Sequence, residues 1–452
     1  MYISKVDDAF EQSIEGCLAE TIKYSVLTNN EWSAWFSRAD KAVTKLKAEH
    51  IANNLPLLSV ADNMDNALTE TEEAYQRLAR GAQKIIFLGT GGSALGGQTL
   101  AQFGTWGLSD VSSNGQNTLP TTRFFGNLDP DTMESLVNQD DLASQRFVII
   151  SKSGSTPETL SQAIAILDAV RKRGLEAKSS EMFLGISDPE IPGKINGLRQ
   201  LCTMFDIPTL NHPPNIGGRF AIFTCVGLLP AIAHGLSIRQ LLQGAKAAIS
   251  NILSAKRVQD CPAAVGAAIA AGLYEDRTAR IQVVMPYANR LAQLARWYVQ
   301  LRAESLGKDG KGITPLACLG PLDQHSQLQL FMDGPNDYYL TFIRTPLGGT
   351  GPVLPPDLCA HAEFEIMKGR TIGDLIDAQT TAVPEALRQA GRAVRTIDVP
   401  NLNEFALGAL LMHFILETLI AADLIGVDPF GQPAVELGKK LTRQKLAEIN
   451  LL

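Results

Sequence analysis

Through the first eighty residues the apolar positions fall at helical spacing: Trp32, Trp35 and Phe36, then Ala42, Leu46 and Ile51. That period puts them on one face of a helix. No strand-like run interrupts them, so residues 1–80 are expected to be helical. The pattern then switches. Residues 84–88 (KIIFL) are a short, largely apolar run closed by Gly89, which is how a parallel strand covered on both faces reads. Residues 122–125, 147–150 and 182–186 repeat it, with helical stretches at 133–137 and 160–173 between them. Strands alternating with helices mean βαβ units and a parallel sheet. A second series predicts helices over 238–254 and 261–275, a strand at 281–285, a long helix over 290–307, a strand at 338–344, a helix over 404–425 and a last helix over 441–452. The stretch 208–218, with three prolines and two glycines, is expected to be the hinge between two α/β subdomains.

Composition narrows the class. A chain of 452 residues exceeds one typical core, which agrees with two subdomains. A hydrophobic share of 45% and a charged share of 19% describe an ordinary globular protein. The net charge of -7 and the lack of a long basic run argue against nucleic acid as a partner. Six cysteines (Cys17, Cys202, Cys225, Cys261, Cys318, Cys359) include no C-x-x-C pair, and small apolar neighbours around most of them point to buried reduced thiols rather than zinc or disulfides. The start of the chain has no signal-peptide character. Two long apolar runs, 220–236 and 405–427, read as core helices rather than membrane spans, the second because it carries His413, Glu417 and Asp423. We therefore expect a cytoplasmic protein with no membrane partner.

Two loops look built for an anion. Gly89-Thr90-Gly91-Gly92-Ser93-Ala94-Leu95-Gly96 follows a strand and should open a helix. Its glycines let backbone N–H groups approach a negative charge. It nearly matches a dinucleotide fingerprint, but the acidic residue that a nicotinamide site wants about 20 residues on is missing, so sugar-phosphate contact is the better reading. The segment from Ser151 to Thr159 (SKSGSTPET) also follows a strand. Pro157 suits the first helical position, Ser155 or Thr156 the N-cap, and Ser155 with Glu158 has capping-box spacing. A cap uses one hydroxyl. This loop supplies five hydroxyls and Lys152, a surplus that a phosphate monoester would use.

Three charged residues stand in Gly-punctuated apolar surroundings: Arg219 in Gly217-Gly218-Arg219-Phe220, Glu304 in Glu304-Ser305-Leu306-Gly307-Lys308, and Lys439 in Val435-Glu436-Leu437-Gly438-Lys439. Burying such groups is costly unless they are paired or used. Leu294, Trp297 and Leu301 define an apolar helix face, and Glu304 continues it; spacing alone leaves open whether that carboxylate is paired or poised as a general base. His325 is a candidate of the same kind. His234 and His413, in apolar helices, are expected to be satisfied core histidines.

The set GTGGSALG, SKSGSTPET, GGRF, ESLGK, QHSQLQLF and FGQPAVELGK, in this order and at these separations, resembles the glucose-6-phosphate isomerase family, whose members contain the sugar isomerase (SIS) fold twice. The hydroxyl loops are shared widely among SIS domains; GGRF with ESLGK, and the QPAVELGK ending, are specific to the family. The resemblance implies two α/β/α three-layer sandwiches with mainly parallel central sheets: an N-terminal helical segment 1–80 packing on the large subdomain, a first SIS unit 81–206 with the phosphate loops, and a second 207–452 with the catalytic set. It implies interconversion of glucose 6-phosphate and fructose 6-phosphate, without metal or organic cofactor, by a homodimer. Glu304 would be the base, Arg219 would stabilise a cis-enediolate, and His325 (from the other subunit) with Lys439 would open the sugar ring. Ser151, Lys152, Ser153 and Thr156 would hold the phosphate, and Gly92, Ser93, Thr159 and Gln432 would touch the substrate. The alternatives are an SIS isomerase for mannose 6-phosphate and a non-catalytic sugar-phosphate sensor, the latter having no need for all four of Glu304, Arg219, His325 and Lys439.

Overall fold

The computed structural model describes residues 3–19, 26–60, 64–105, 119–277 and 279–449. Its strands are β1 (Ile3–Val6), β2 (Phe10–Ser13), β3 (Lys84–Leu88), β4 (Thr121–Phe125), β5 (Gln145–Ile150), β6 (Phe183–Ser187), β7 (Thr209–Asn211), β8 (Ile281–Pro286), β9 (Thr314–Ala317), β10 (Tyr338–Arg344) and β11 (Ala393–Asp398). They form two sheets, ordered β4-β3-β5-β6-β7 and β1-β2-β11-β10-β8-β9. The first is parallel throughout. The second is parallel from β11 to β9 and ends in the antiparallel hairpin β1–β2. Every residue of β5 and β6 is buried, as a sheet covered by helices on both faces requires. The fold class is α/β, as expected.

The expectation that residues 1–80 hold no strand is corrected. The β1–β2 hairpin turns at Asp8 (φ 59°) and seals the edge of the second sheet against β11, with Thr396 opposite Ser13. Its strands do alternate, but two of the four inward positions, Ser4 and Gln12, are polar, so no apolar stripe marks them. Gln12 fills its buried position by donating from Nε2 to the Pro262 carbonyl at 3.0 Å. Helix Asn29–Ile51 then packs on Pro262–Asp276 and Glu404–Ile425, while helix Met64–Ala79 packs on Cys225–Ala233. The stretch 208–218 also carries more structure than a hinge, since β7 lies within it as an edge strand. The last helix runs over Glu436–Glu448, starting earlier than expected; residues 450–452 lie outside the described residues.

Among the described residues one helix, Glu404–Ile425, is long and apolar enough to cross a membrane, and 94% of its most apolar window is buried inside the protein. It lies in the main core. Its Glu417 is fully buried and takes Arg395 Nη1 at 2.6 Å, with Arg302 Nη1 3.9 Å away. Arg395 interrupts the apolar run of β11, which is why that strand does not show in the sequence. Five cysteines are buried and Cys225 is partly so, all as free thiols. Burial pushes the Cys17 and Cys225 thiols up to about 12.

Candidate active site

Two loops leave the carboxyl ends of β3 and β5, the crevice where open α/β sheets place ligands. The two loops follow neighbouring parallel strands and so lie side by side. In the first, Gly91 has φ 54° and Gly92 rests on the backbone of the GGRF segment: a Cβ on Gly92 would sit 2.2 Å from the Gly218 carbonyl carbon and 2.6 Å from the Arg219 nitrogen. No side chain fits there. A Cβ on Gly91 would meet Gln300 Nε2 at 3.0 Å, so this one loop contacts both the Arg219 segment and the helix Ala292–Leu306 that carries Glu304.

Arg219 sits in the 3-10 segment Gly218–Phe223 and is only 3% exposed. All five of its N–H groups have acceptors. Nε donates to Ser305 Oγ at 2.8 Å. Nη1 donates to Glu304 Oε2 at 2.9 Å and to Gln432 Oε1 at 3.1 Å. Nη2 donates to the carbonyls of Pro429 at 2.5 Å and Gly431 at 3.0 Å. Burial pulls its pKa below the ordinary value while Glu304 pushes it back up, and a guanidinium so placed stays charged. Trp297 Nε1 donates to the Arg219 carbonyl at 3.2 Å and pins the backbone as well.

Leu294, Trp297 and Leu301 are buried, and Glu304 caps their face with its side chain 34% exposed. Its second oxygen, Oε1, accepts from Gln300 Nε2 at 2.9 Å. The question left by spacing is thus answered in favour of a pair, one that still opens to solvent: a carboxylate held in a fixed orientation beside a buried cation. Such a unit can take a proton from carbon and stabilise negative charge on a neighbouring oxygen.

A family model for phosphoglucose isomerase matches residues 60–317. The glucose-6-phosphate isomerase of Rubrobacter xylanophilus is 34% identical over 387 residues, covering 83% of this chain and 85% of that protein. That of Carboxydothermus hydrogenoformans is 35% identical over 388 residues, covering 84% and 82%. The chain belongs to the phosphoglucose isomerase family. A crystal structure of a Thermus thermophilus protein described as hypothetical superposes with a TM-score of 0.78 at 28% identity, over 92% of this chain and 97% of that one. The glucose-6-phosphate isomerase of Chlamydia trachomatis superposes with a TM-score of 0.77 over 99% and 90%; at 18% identity this likeness speaks to the fold.

The second loop of this phosphoglucose isomerase family member is laid out differently from the cap that its sequence predicts. Pro157 is the first helical residue and Thr156 the N-cap, but no side chain caps the helix Pro157–Lys172. Ser155 and Glu158 form no capping box. The hydroxyls pair among themselves instead, Ser151 Oγ with Thr156 Oγ1 at 2.9 Å and Ser153 Oγ with Ser155 Oγ at 2.9 Å. The helix N-terminus is left open to an anion. Lys152 is half-buried, and that burial, more than any neighbour, lowers its pKa. Thr159 is fully buried with its hydroxyl unpartnered, while Ser93 is half-buried in the turn Gly91–Ser93.

The chain brings Arg219, Glu304, Gln432 and the Gly92 loop together; it does not bring in His325 or Lys439. His325 is exposed at the end of the turn Leu322–Gln324, and no hydrogen bond joins it to that group among the described residues. Lys439 bonds Glu436 Oε1 at 2.7 Å on the helix Glu436–Glu448, which buries no residue. Sequence reasoning missed Gln300 and Ser305. Gln300 lies at i−4 from Glu304, where helix neighbours meet, so it was findable. The carbonyls of Pro429 and Gly431 were not, because a backbone acceptor leaves no trace in residue type.

Proposed function

We propose that the chain catalyses the reversible interconversion of glucose 6-phosphate and fructose 6-phosphate through a cis-enediolate. The observation that carries this reading is the 2.9 Å Arg219–Glu304 pair with Gly92 packed against it. Glu304 moves the proton between carbon-1 and carbon-2 of the open-chain sugar. Because both Nη1 hydrogens of Arg219 are already directed at Glu304 and Gln432, the guanidinium stabilises the enediolate by its field and by any bond it exchanges as the substrate enters. Ser151, Lys152, Ser153 and Thr156 hold the phosphate, with Gly92, Ser93, Thr159 and Gln432 as further contacts along the sugar. His325 and Lys439 open the ring, and since the protomer leaves His325 outside the group, it is supplied by the second subunit of a homodimer. The same reading places the enzyme in the cytoplasm. A coupled assay on glucose, fructose and mannose 6-phosphates tests it. Turnover between the glucose and fructose phosphates is expected; turnover of mannose phosphate instead would move the chain to the alternative substrate, and binding without turnover would make it a sensor.

A further inference from the structure

The second hydroxyl loop is held from behind by another loop, the one that follows β6. Ser187 is fully buried and its one hydroxyl hydrogen is shared between the carbonyls of Ser151 at 2.7 Å and Lys152 at 3.1 Å. The Asp188 N–H donates to the same Lys152 carbonyl at 2.9 Å. Asn196 Nδ2 donates to Ser187 Oγ at 2.9 Å, and Asn196 Oδ1 caps the helix Gly197–Met204 by accepting from the Arg199 N–H at 3.1 Å. The next free N–H of that helix, on Leu198, donates to the Gly154 carbonyl at 3.0 Å. Asn196 also lies against Gly154, which has φ 66°; a Cβ there would be 1.7 Å from Asn196 Oδ1. Arg199 braces the whole, donating from Nε to the Asp188 carbonyl at 2.6 Å and from Nη1 to Thr209 Oγ1 at 3.0 Å.

In a planar trans peptide the carbonyl of one residue and the N–H of the next point in opposite directions. Three carbonyls drawn toward the β6 loop, those of Ser151, Lys152 and Gly154, therefore turn the N–H groups of Lys152, Ser153 and Ser155 the other way. Those of Lys152 and Ser153 donate to nothing among the described residues, and that of Ser155 has only a 3.3 Å contact to Ser153 Oγ. Successive N–H groups aimed in one direction form an anion-binding concavity.

We propose that Ser187 and Asn196 are positioning residues for the phosphate group of the substrate, acting by fixing the peptide planes of the Ser151–Ser155 loop. The inference rests on the phosphate-loop reading of the proposed function. Neither side chain touches the ligand.

Full-length wild-type, Ser187→Ala and Asn196→Ser proteins test it, by steady-state isomerisation of fructose 6-phosphate and by calorimetric titration with inorganic phosphate. Serine still caps the helix but is too short to reach Ser187, so Asn196→Ser separates the clasp from helix stability. In both variants KM and the phosphate Kd should rise together by about tenfold, the loss of about one charge-assisted bond. kcat should stay within about twofold, and the thermal midpoint of Asn196→Ser should match wild type. Unchanged KM and phosphate affinity in folded variants, or a fall in kcat at unchanged KM, would overturn the proposal. If wild type binds phosphate yet isomerises nothing, the isomerase reading fails while the phosphate titrations still judge this one.

Discussion

On the proposed reading, replacing Glu304 with glutamine removes the base and almost nothing else. Glu304 accepts two hydrogen bonds, from Arg219 Nη1 and Gln300 Nε2. A glutamine can keep Oε1 toward Arg219, and its Nε2 then faces Gln300, whose own amide turns over to present oxygen. Both bonds re-form. What disappears is the negative charge, and at a site one-third open to water that loss is softened by solvent. The fold should therefore hold, with a thermal midpoint within a few degrees of wild type. The chemical step should suffer far more. A positioned base contributes about 10²–10⁴-fold, and the carboxylate also partners the cation facing the enediolate, so kcat should drop by at least about three orders of magnitude, roughly 4 kcal/mol of barrier. KM should move little, because the phosphate loops are untouched. A coupled assay with fructose 6-phosphate, alongside calorimetric phosphate titration, reads both quantities. A folded Glu304→Gln enzyme keeping more than about a hundredth of its turnover would refute the argument, since a positioned base is worth at least about a hundredfold.

Arg219→Lys offers three donors where five are used, so kcat should fall by about a hundredfold or more and the segment after Val427 should become cleavable by protease; wild-type turnover and protection would contradict the packing described. Gly92→Ala must displace the Gly218–Arg219 backbone, and activity should fall more than the thermal midpoint does, which paired assay and melting curves would show. If His325 acts across a dimer, mixing inactive Glu304→Gln and His325→Ala proteins should restore about a quarter of wild-type activity, half the dimers being mixed with one intact site each; no recovery after confirmed subunit exchange rules this out. His212 and His234 are both held down from the usual 6.5 to about 4 by burial. A depressed histidine is neutral in the fold and protonates more readily when unfolded, so its contribution is intact above pH 6.5 and is lost as pH falls toward 4. Thermal midpoints should decline through that window, and His234→Gln should flatten the decline by about one proton's worth.

Four strands of the first sheet, β3 to β6, and the two glycine- and serine-rich loops were legible because buried parallel strands read as apolar runs and glycines mark their ends. β3 and β10 match the bounds read from the sequence. β11 was not legible, as its centre is Arg395, whose charge is paired with Glu417 more than twenty residues on. β9 is an edge strand containing Pro315, and β7 has three residues in a proline-rich stretch; both are too short and too polar at the edge to show a period. At the site, Arg219 and Glu304 stood out as charges in apolar surroundings, and their pairing across 85 residues was a matter of fold. Ser187 and Asn196 were invisible, since they act on carbonyls and a single asparagine in a loop looks like any other turn residue.

Arg219 grips the main chain at Pro429 and Gly431, and Lys308 does the same at Asp428 and Phe430. The Arg219 guanidinium is thereby tied to a stretch of main chain more than two hundred residues on. A nascent chain stalled short of this stretch could build both sheets, yet its guanidinium would lack two carbonyl acceptors and the Gln432 amide. The stretch that supplies these oxygens is itself constrained, Gly431 by its φ of 64° and Phe430 by its N–H on Asp428 Oδ1 at 2.9 Å, so its residue types are bound to the shape that presents them.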